Sequence, residues 1–188
     1  MPDYPWQERV SFEVSPAEAS RFTLALRVPG WCRGARININ GQAVDVARVT
    51  RKGYARLERV WPSGDTVELR LPMPIERIEA DPRVRMNCGK VALQRGPVVY
   101  CLEQVDNGRE LADLAIRRTA PLTAEHRPRL LGGVTVIRGQ AQRRRRVAGD
   151  GLYRRQRRDL ETVGFTAVPY SVWANRKAGK MIVWIHSS

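Results

Sequence analysis

The feature that most constrains this chain is an alternation of period two, broken at short intervals by turn-forming pairs. Phe22, Leu24, Leu26 and Val28 alternate with Thr23, Ala25 and Arg27, and Pro29-Gly30 ends the run. A period of two sets the large apolar side chains on one face of an extended strand, whereas a helix would need them at a period of 3.6. The pattern resumes at Ile37 and Ile39, meets Asn40-Gly41, and returns with Val44 and Val46. Asn-Gly between two alternating runs predicts a hairpin, because both residues tolerate positive φ. "GYARLERVW" predicts a further strand, "PSGD" a turn in which Asp65 is a turn former, and "TVELRLPM" a strand with Val67, Leu69 and Leu71 on one face.

Residues 72–85 hold three prolines and many charges and read as a connector between two units. Beyond them "KVALQRGPVVYCLEQ" restarts the strand pattern, and its continuous run "VVYCL" is that of a strand buried on both faces. "NGRELADLAI" reads as a turn or a short helix, and "GGVTVIRG" as another strand. "FTAVPYSVWANR" and "MIVWIH" close the chain, with Gly179 suited to a hairpin between them. Nothing repeats at a fixed period, and helix-period amphipathicity is nearly absent. The predicted fold class is all-β: two tandem antiparallel β-sandwich domains, residues 1–80 and 81–188.

A chain of 188 residues with 43% hydrophobic content can bury a core in each of two small domains. The net charge of +14 is concentrated. Between Arg138 and Arg158 nine arginines face one acid, Asp150, so this stretch alone carries +8. The chain holds 29 Arg and only 4 Lys, whereas phosphate-binding surfaces usually mix the two. The one interleaved aromatic is Tyr153, and no nucleic-acid-binding motif accompanies the run. Residues 138–160 therefore read as an Arg-rich variable loop, solvated rather than built for phosphate backbones. The three cysteines Cys32, Cys88 and Cys101 form no disulfide framework or metal-ligand spacing, and the two histidines, His126 and His186, lie far apart. No run reaches the roughly 18 apolar residues a membrane span needs, and the first residues have no apolar leader core, so a cytoplasmic location is expected.

Seven segments occur in one order: "YPWQERV" at 4–10, "LRVPGWC" at 26–32, "NGQAV" at 40–44, "GYARLERVWPSGD" at 53–65, "ELRLPMP" at 68–74, "GKVALQRGPVVYCLE" at 89–103 and "AVPYSVWANRKAGKMIVW" at 167–184. Together they resemble the C-terminal region of glycoside hydrolase family 127, the β-L-arabinofuranosidase type. The resemblance implies a longer enzyme. In it an (α/α)6 helical barrel carries a cysteine nucleophile, a zinc ion held by thiolates and a glutamate, and a glutamate acid/base, followed by two β-sandwiches. It also implies a retaining mechanism through a covalent glycosyl intermediate. No Cys-Cys pair of the barrel type occurs here, so no catalytic or metal residue is carried over and no substrate-binding residue is assigned. No cofactor is expected in this chain, the implied zinc belonging to the barrel.

The tryptophans Trp6, Trp31, Trp61, Trp173 and Trp184 could stack on sugar rings, but large aromatics at these positions read first as core or interdomain packing. Cys101 reads as a buried inert thiol and Cys32 as structural. Glu8, Glu13, Glu58 and Glu68 fit polar strand faces, and no carboxylate pair can be placed around a substrate. The expected role is accessory: a C-terminal β-sandwich region, not catalytic alone, whose partner is the helical barrel of a family 127 enzyme in the same or a neighbouring chain. The expected work is to brace that barrel, and to shape one rim of its cleft or a subunit interface in a homo-oligomer. Nucleic acid and membrane are not expected partners. The rival reading is a stand-alone carbohydrate-binding module, or weak nucleic-acid binding through the Arg-rich loop.

Overall fold

In a computed structural model of the chain, residues 4–108, 110–144 and 160–188 are described. They fold as two compact units that divide between Pro74 and Ile75. The division falls ahead of the 80/81 boundary expected from sequence. Ile75–Ile78, inside the expected connector, pairs with Ala92–Arg95 and so belongs to the second unit.

The first unit contains β1 (Arg9–Val14), β2 (Ser20–Arg27), β3 (Arg36–Ile39), β4 (Gln42–Val44), a single helical turn α1 (Val46–Val49), β5 (Thr50–Arg51), β6 (Tyr54–Trp61) and β7 (Asp65–Arg70). One sheet runs β1-β7-β3-β4 and the other β2-β6-β5, all pairs antiparallel. The alternation decides which residues meet. Leu26, Ala55, Leu57 and Trp61 from one sheet pack against Ile37, Val67 and Leu69 from the other, which makes this unit a sandwich. Trp61 is fully buried, stacks on Phe22, and donates its indole N–H to the Phe22 carbonyl at 3.1 Å. The Asn-Gly hairpin forms as read: Asn40 at φ 49° and Gly41 at φ 79° join β3 to β4, with Ile39 opposite Gln42. Two positive φ angles in succession are what a two-residue turn matched to strand twist requires.

Asp65 is not a turn residue. It is the buried first residue of β7, where it accepts from Asn40 Nδ2 at 2.7 Å and lies 3.4 Å from the Arg59 guanidinium. The turn sits one step earlier, at Ser63-Gly64.

The second unit contains β8 (Ile75–Ile78), β9 (Lys90–Arg95), β10 (Val98–Glu103), the helical turn α2 (Gln104–Asn107), β11 (Leu114–Ile116), β12 (Leu122–Arg127), β13 (Val134–Arg144), β14 (Leu160–Pro169), β15 (Met181–Ile182) and β16 (Ile185–Ser187). The ladder runs β15-β10-β14-β13-β11-β16-β9-β8, with β12 on β13 and a further β9–β10 pairing. β10 pairs with β9 through Val98 and Val99, then with β14 through Tyr100–Leu102, so the strand passes from one ladder to the other. Its "VVYCL" run behaves accordingly: Tyr100, Cys101 and Leu102 are all buried.

Three expectations change. The closing segment is not one strand, nor a hairpin with β14. It bends at Val183-Trp184, so that β15 joins β10 while β16 joins β9 and β11. The β11–β16 pairing is parallel in an otherwise antiparallel set. The Arg-rich stretch expected as a loop from 138 is strand as far as Arg144, and Leu160 already belongs to β14. Residues 138–144 stay extended because β14 pairs them in register from Arg138–Thr166 to Arg144–Leu160, and because Ala141 faces the core. Arg145 to Asp159, the rest of that expected loop, lie outside the described residues. Gly139 is fixed by packing: a Cβ there would lie 2.7 Å from Leu122 Cδ2 and 2.8 Å from Phe165 Cε1.

Candidate functional site

A cluster of polar contacts around the buried Glu103 joins two segments of the second unit far apart in sequence. Glu103, the last residue of β10, is buried. Its Oε1 accepts the backbone N–H of Ala174 at 2.9 Å, and its Oε2 accepts from Arg176 Nη2. Asp106, on α2, takes the same guanidinium through both oxygens, with Arg176 Nη1 2.8 Å from Oδ1. Gln104 adds a two-way clasp: its backbone N–H donates to the Lys180 carbonyl at 2.9 Å, and its side-chain oxygen accepts the Lys180 N–H at 3.0 Å. The segment Trp173–Lys180 is thus tied at three points to the turn that ends β10.

Local sequence explains the turn. Gly108, at φ 81°, terminates α2, and Asn107 fills the place where β10 leaves the ladder. The buried Asn107 amide donates to the carbonyls of Glu103 and Thr166 and accepts the Thr166 N–H at 2.9 Å. The backbone of β14 is thereby satisfied beyond its last partner on β10. Arg143, which sequence placed in a solvated loop, donates to the Asn107 carbonyl. Arg138 pairs with Glu125 at 3.3 Å.

The electrostatics are those of an anchor. The hydrogen bonds that Arg176 donates to Asp106, and then to Glu103, hold its guanidinium more firmly charged than usual. Burial, reinforced by the neighbouring Glu103 carboxylate, pushes the Cys101 thiol up to about 12. Such a thiol is protonated and unreactive at neutral pH, as read from its apolar setting. Both carboxylates are committed to one guanidinium, the buried Glu103 and the more exposed Asp106 alike, which is the arrangement of a structural clamp.

The other residues singled out by sequence do not converge. Glu8 accepts the Met73 N–H at 2.9 Å and lies 3.7 Å from Arg70. Glu68 pairs with Arg9 at 2.7 Å, and Glu58 with Arg21 at 3.7 Å. Glu13 accepts from Ser15. An open groove on the β1-β7-β3 face is lined by both polar and apolar side chains, among them Arg9, Phe12, Glu13, Asn38, Val67 and Glu68. Trp61 is core, Trp6, Trp31 and Trp184 are half-buried, and Trp173 is exposed. Cys32 and Cys101 are buried and Cys88 is exposed. Among the described residues no three His, Cys, Asp or Glu side chains group to hold a metal ion, so the donor set of a thiolate–carboxylate zinc site is not assembled by them. Sequence reading passed over Glu103, Asp106 and Arg176. The available signal was a carboxylate closing the apolar run "VVYCL", a residue type that needs a partner if the strand is buried.

Residues 75–186 match the family model described as the glycoside hydrolase family 127 C-terminal domain, and residues 1–73 that described as the β-L-arabinofuranosidase GH127 middle domain. The non-reducing end β-L-arabinofuranosidase of Bifidobacterium longum subsp. longum is 36% identical over 97% of this chain and 29% of that protein. A GH127 β-L-arabinofuranosidase from Geobacillus stearothermophilus T6 superposes over the whole chain with a TM-score of 0.97 at 52% identity, covering 30% of its own length. A solved glycoside hydrolase superposes at 0.87 with 33% identity, covering 32% of its length. The chain therefore spans about a third of the proteins it matches.

Proposed function

The chain belongs to glycoside hydrolase family 127, of which it carries the middle and C-terminal domains, and from that premise we propose that it is the accessory β-sandwich region of a β-L-arabinofuranosidase-like enzyme. Its work is to brace a helical catalytic barrel, carried in the same or a neighbouring chain, that acts on arabinose-containing glycans. The observation that carries this reading is the coverage: matches that take in 97% and 100% of this chain take in only 29% and 30% of the relatives. The carboxylates here support it, since Glu103 and Asp106 are committed to holding a loop. Nucleophile, acid/base and zinc would come with the barrel.

The test is activity with and without that partner. The purified chain, given zinc and an aryl β-L-arabinofuranoside, shows no turnover above a heat-killed control. Mixed with the remaining region of the Geobacillus relative, it raises that region's melting temperature. Turnover that follows this chain through purification would overturn the reading. So would a chain that binds arabinan oligosaccharides tightly and leaves the catalytic region's stability unchanged, which is the stand-alone binding module.

A further inference from the structure

The anchor at Glu103 holds something specific. Tyr170 and Trp173 follow β14 on a 3-10 turn, with ring centroids 6.4 Å apart and planes inclined by 25°. Both face water, Tyr170 at 46% and Trp173 at 39% exposure. Val99, 40% exposed, precedes Tyr100, whose partner on β14 is Pro169, the residue before Tyr170. Next to Trp173 the backbone of Ala174 takes φ 62°, a left-handed conformation that costs a residue with a Cβ about 1 kcal/mol. That conformation persists because Glu103, only 4% exposed, accepts the Ala174 N–H and grips Arg176. A left-handed backbone and a buried carboxylate thus fix the residue that follows Trp173, and strained backbone of this kind clusters at functional surfaces.

We propose that this Tyr170–Trp173 shelf, with Val99, is the docking surface for the catalytic region that family 127 enzymes carry ahead of the middle domain. The inference rests on the accessory reading above. Aromatic anchors with aliphatic neighbours and a rim of charge are the composition of a protein–protein contact. The rim here is Arg176, Asp106 and the Lys180–Glu110 pair at 3.8 Å. A sugar site needs uncommitted polar groups around its stacking ring. Here the latch charges are spent on one another, and the Asn175 amide on the Val172 carbonyl at 3.1 Å. The occupant is named by the relatives, in which the matched portion is 30% of the chain and the larger share stands outside it.

The experiment co-produces this full chain, tagged, with the remaining region of the Geobacillus stearothermophilus relative, so that the region folds with its partner present. The wild type recovers the region at near equal amounts. Tyr170→Ser with Trp173→Ser lowers recovery at least tenfold. Tyr54→Ser, an exposed aromatic of the first unit, leaves recovery unchanged. Each variant is first shown to melt within a few degrees of the parent, as surface substitutions should; should the double serine variant melt early, Trp173→Lys replaces it. Equal recovery with the shelf variant overturns the shelf and leaves the accessory reading standing. No recovery with the wild type overturns both. Two other results sink the shelf as a docking surface for the catalytic region. One is binding of arabinan oligosaccharides that the shelf variant abolishes. The other is a concentration-dependent dimer that the shelf variant dissolves, since the occupant would then be a second copy.

Discussion

Replacing Arg176 by Met removes the guanidinium and keeps most of the aliphatic volume. What remains is Glu103, buried with one N–H donor, and Asp106 without its bidentate partner. Removing one member of a buried ion pair costs about 3–5 kcal/mol, because a charge is left without compensation. Arg176 and Asp106 each keep a fifth of their side-chain surface in water, which rehydrates part of the cluster, so the lower end, about 3 kcal/mol, applies. For a unit of this size about 4 °C accompanies each kcal/mol, so the second unit's transition should fall by about 12 °C while the first unit's stays in place. Glu103→Gln is milder, about 1 kcal/mol, since an amide oxygen still accepts the Ala174 N–H and Asp106 still holds Arg176. In a Glu103→Gln, Asp106→Asn background, Arg176→Met should cost less than about 1 kcal/mol, a coupling near 2 kcal/mol in the double-mutant cycle. Differential scanning calorimetry of the parent, the two single variants, the double variant and the triple variant reads all these quantities. A loss below about 1 kcal/mol for Arg176→Met in the parent would refute the reasoning, because that is the value of a solvated surface network.

At pH 8 a thiol-specific reagent should label one cysteine of three quickly. Cys88→Ser should abolish that fast phase, Cys32 and Cys101 reacting only on unfolding. In the alkaline range the folded Cys101 thiol, pushed by burial from its ordinary 9.0 to about 12, keeps its proton while the unfolded chain releases it. That raised value makes stability full below about pH 9 and progressively lost between about 9 and 12. Tyr100, also raised by burial to about 12, adds to the upper part of that window. Urea midpoints at pH 8 and 11 measure the loss, and Cys101→Ala should shrink it. Gly139→Ala drives a methyl into Leu122 and Phe165 and should destabilise the second unit by about 1–3 kcal/mol in urea melts; a neutral result would mean the strand shifts freely.

How far the sequence carries can be judged at particular residues. Local physics was legible wherever it decides the outcome alone. Asn40-Gly41 makes its hairpin because only such residues take two positive φ angles without strain. Alternation along β2, β6 and β7 selects the core face because a pleated strand has no other period. The apolar run Tyr100–Leu102 is buried on both faces for the same reason. Family membership was legible too, since it rests on ordered motifs, and the domain matches bear it out. What the sequence left open depends on pairings between distant segments. Asp65 reads as a turn residue until Asn40 and Arg59 are brought to it, and Arg138–Arg144 read as a loop until β14 lies alongside. Residues 181–186 read as one strand until β10 claims the first part and β9 with β11 the last, because a strand's ends are set by which edges are free to pair. The anchor joining Glu103 and Asp106 to Arg176 spans about 70 residues of chain. No local pattern encodes such a contact. It exists because the fold sets the end of β10 against the segment after β14, where a buried carboxylate must find a cation.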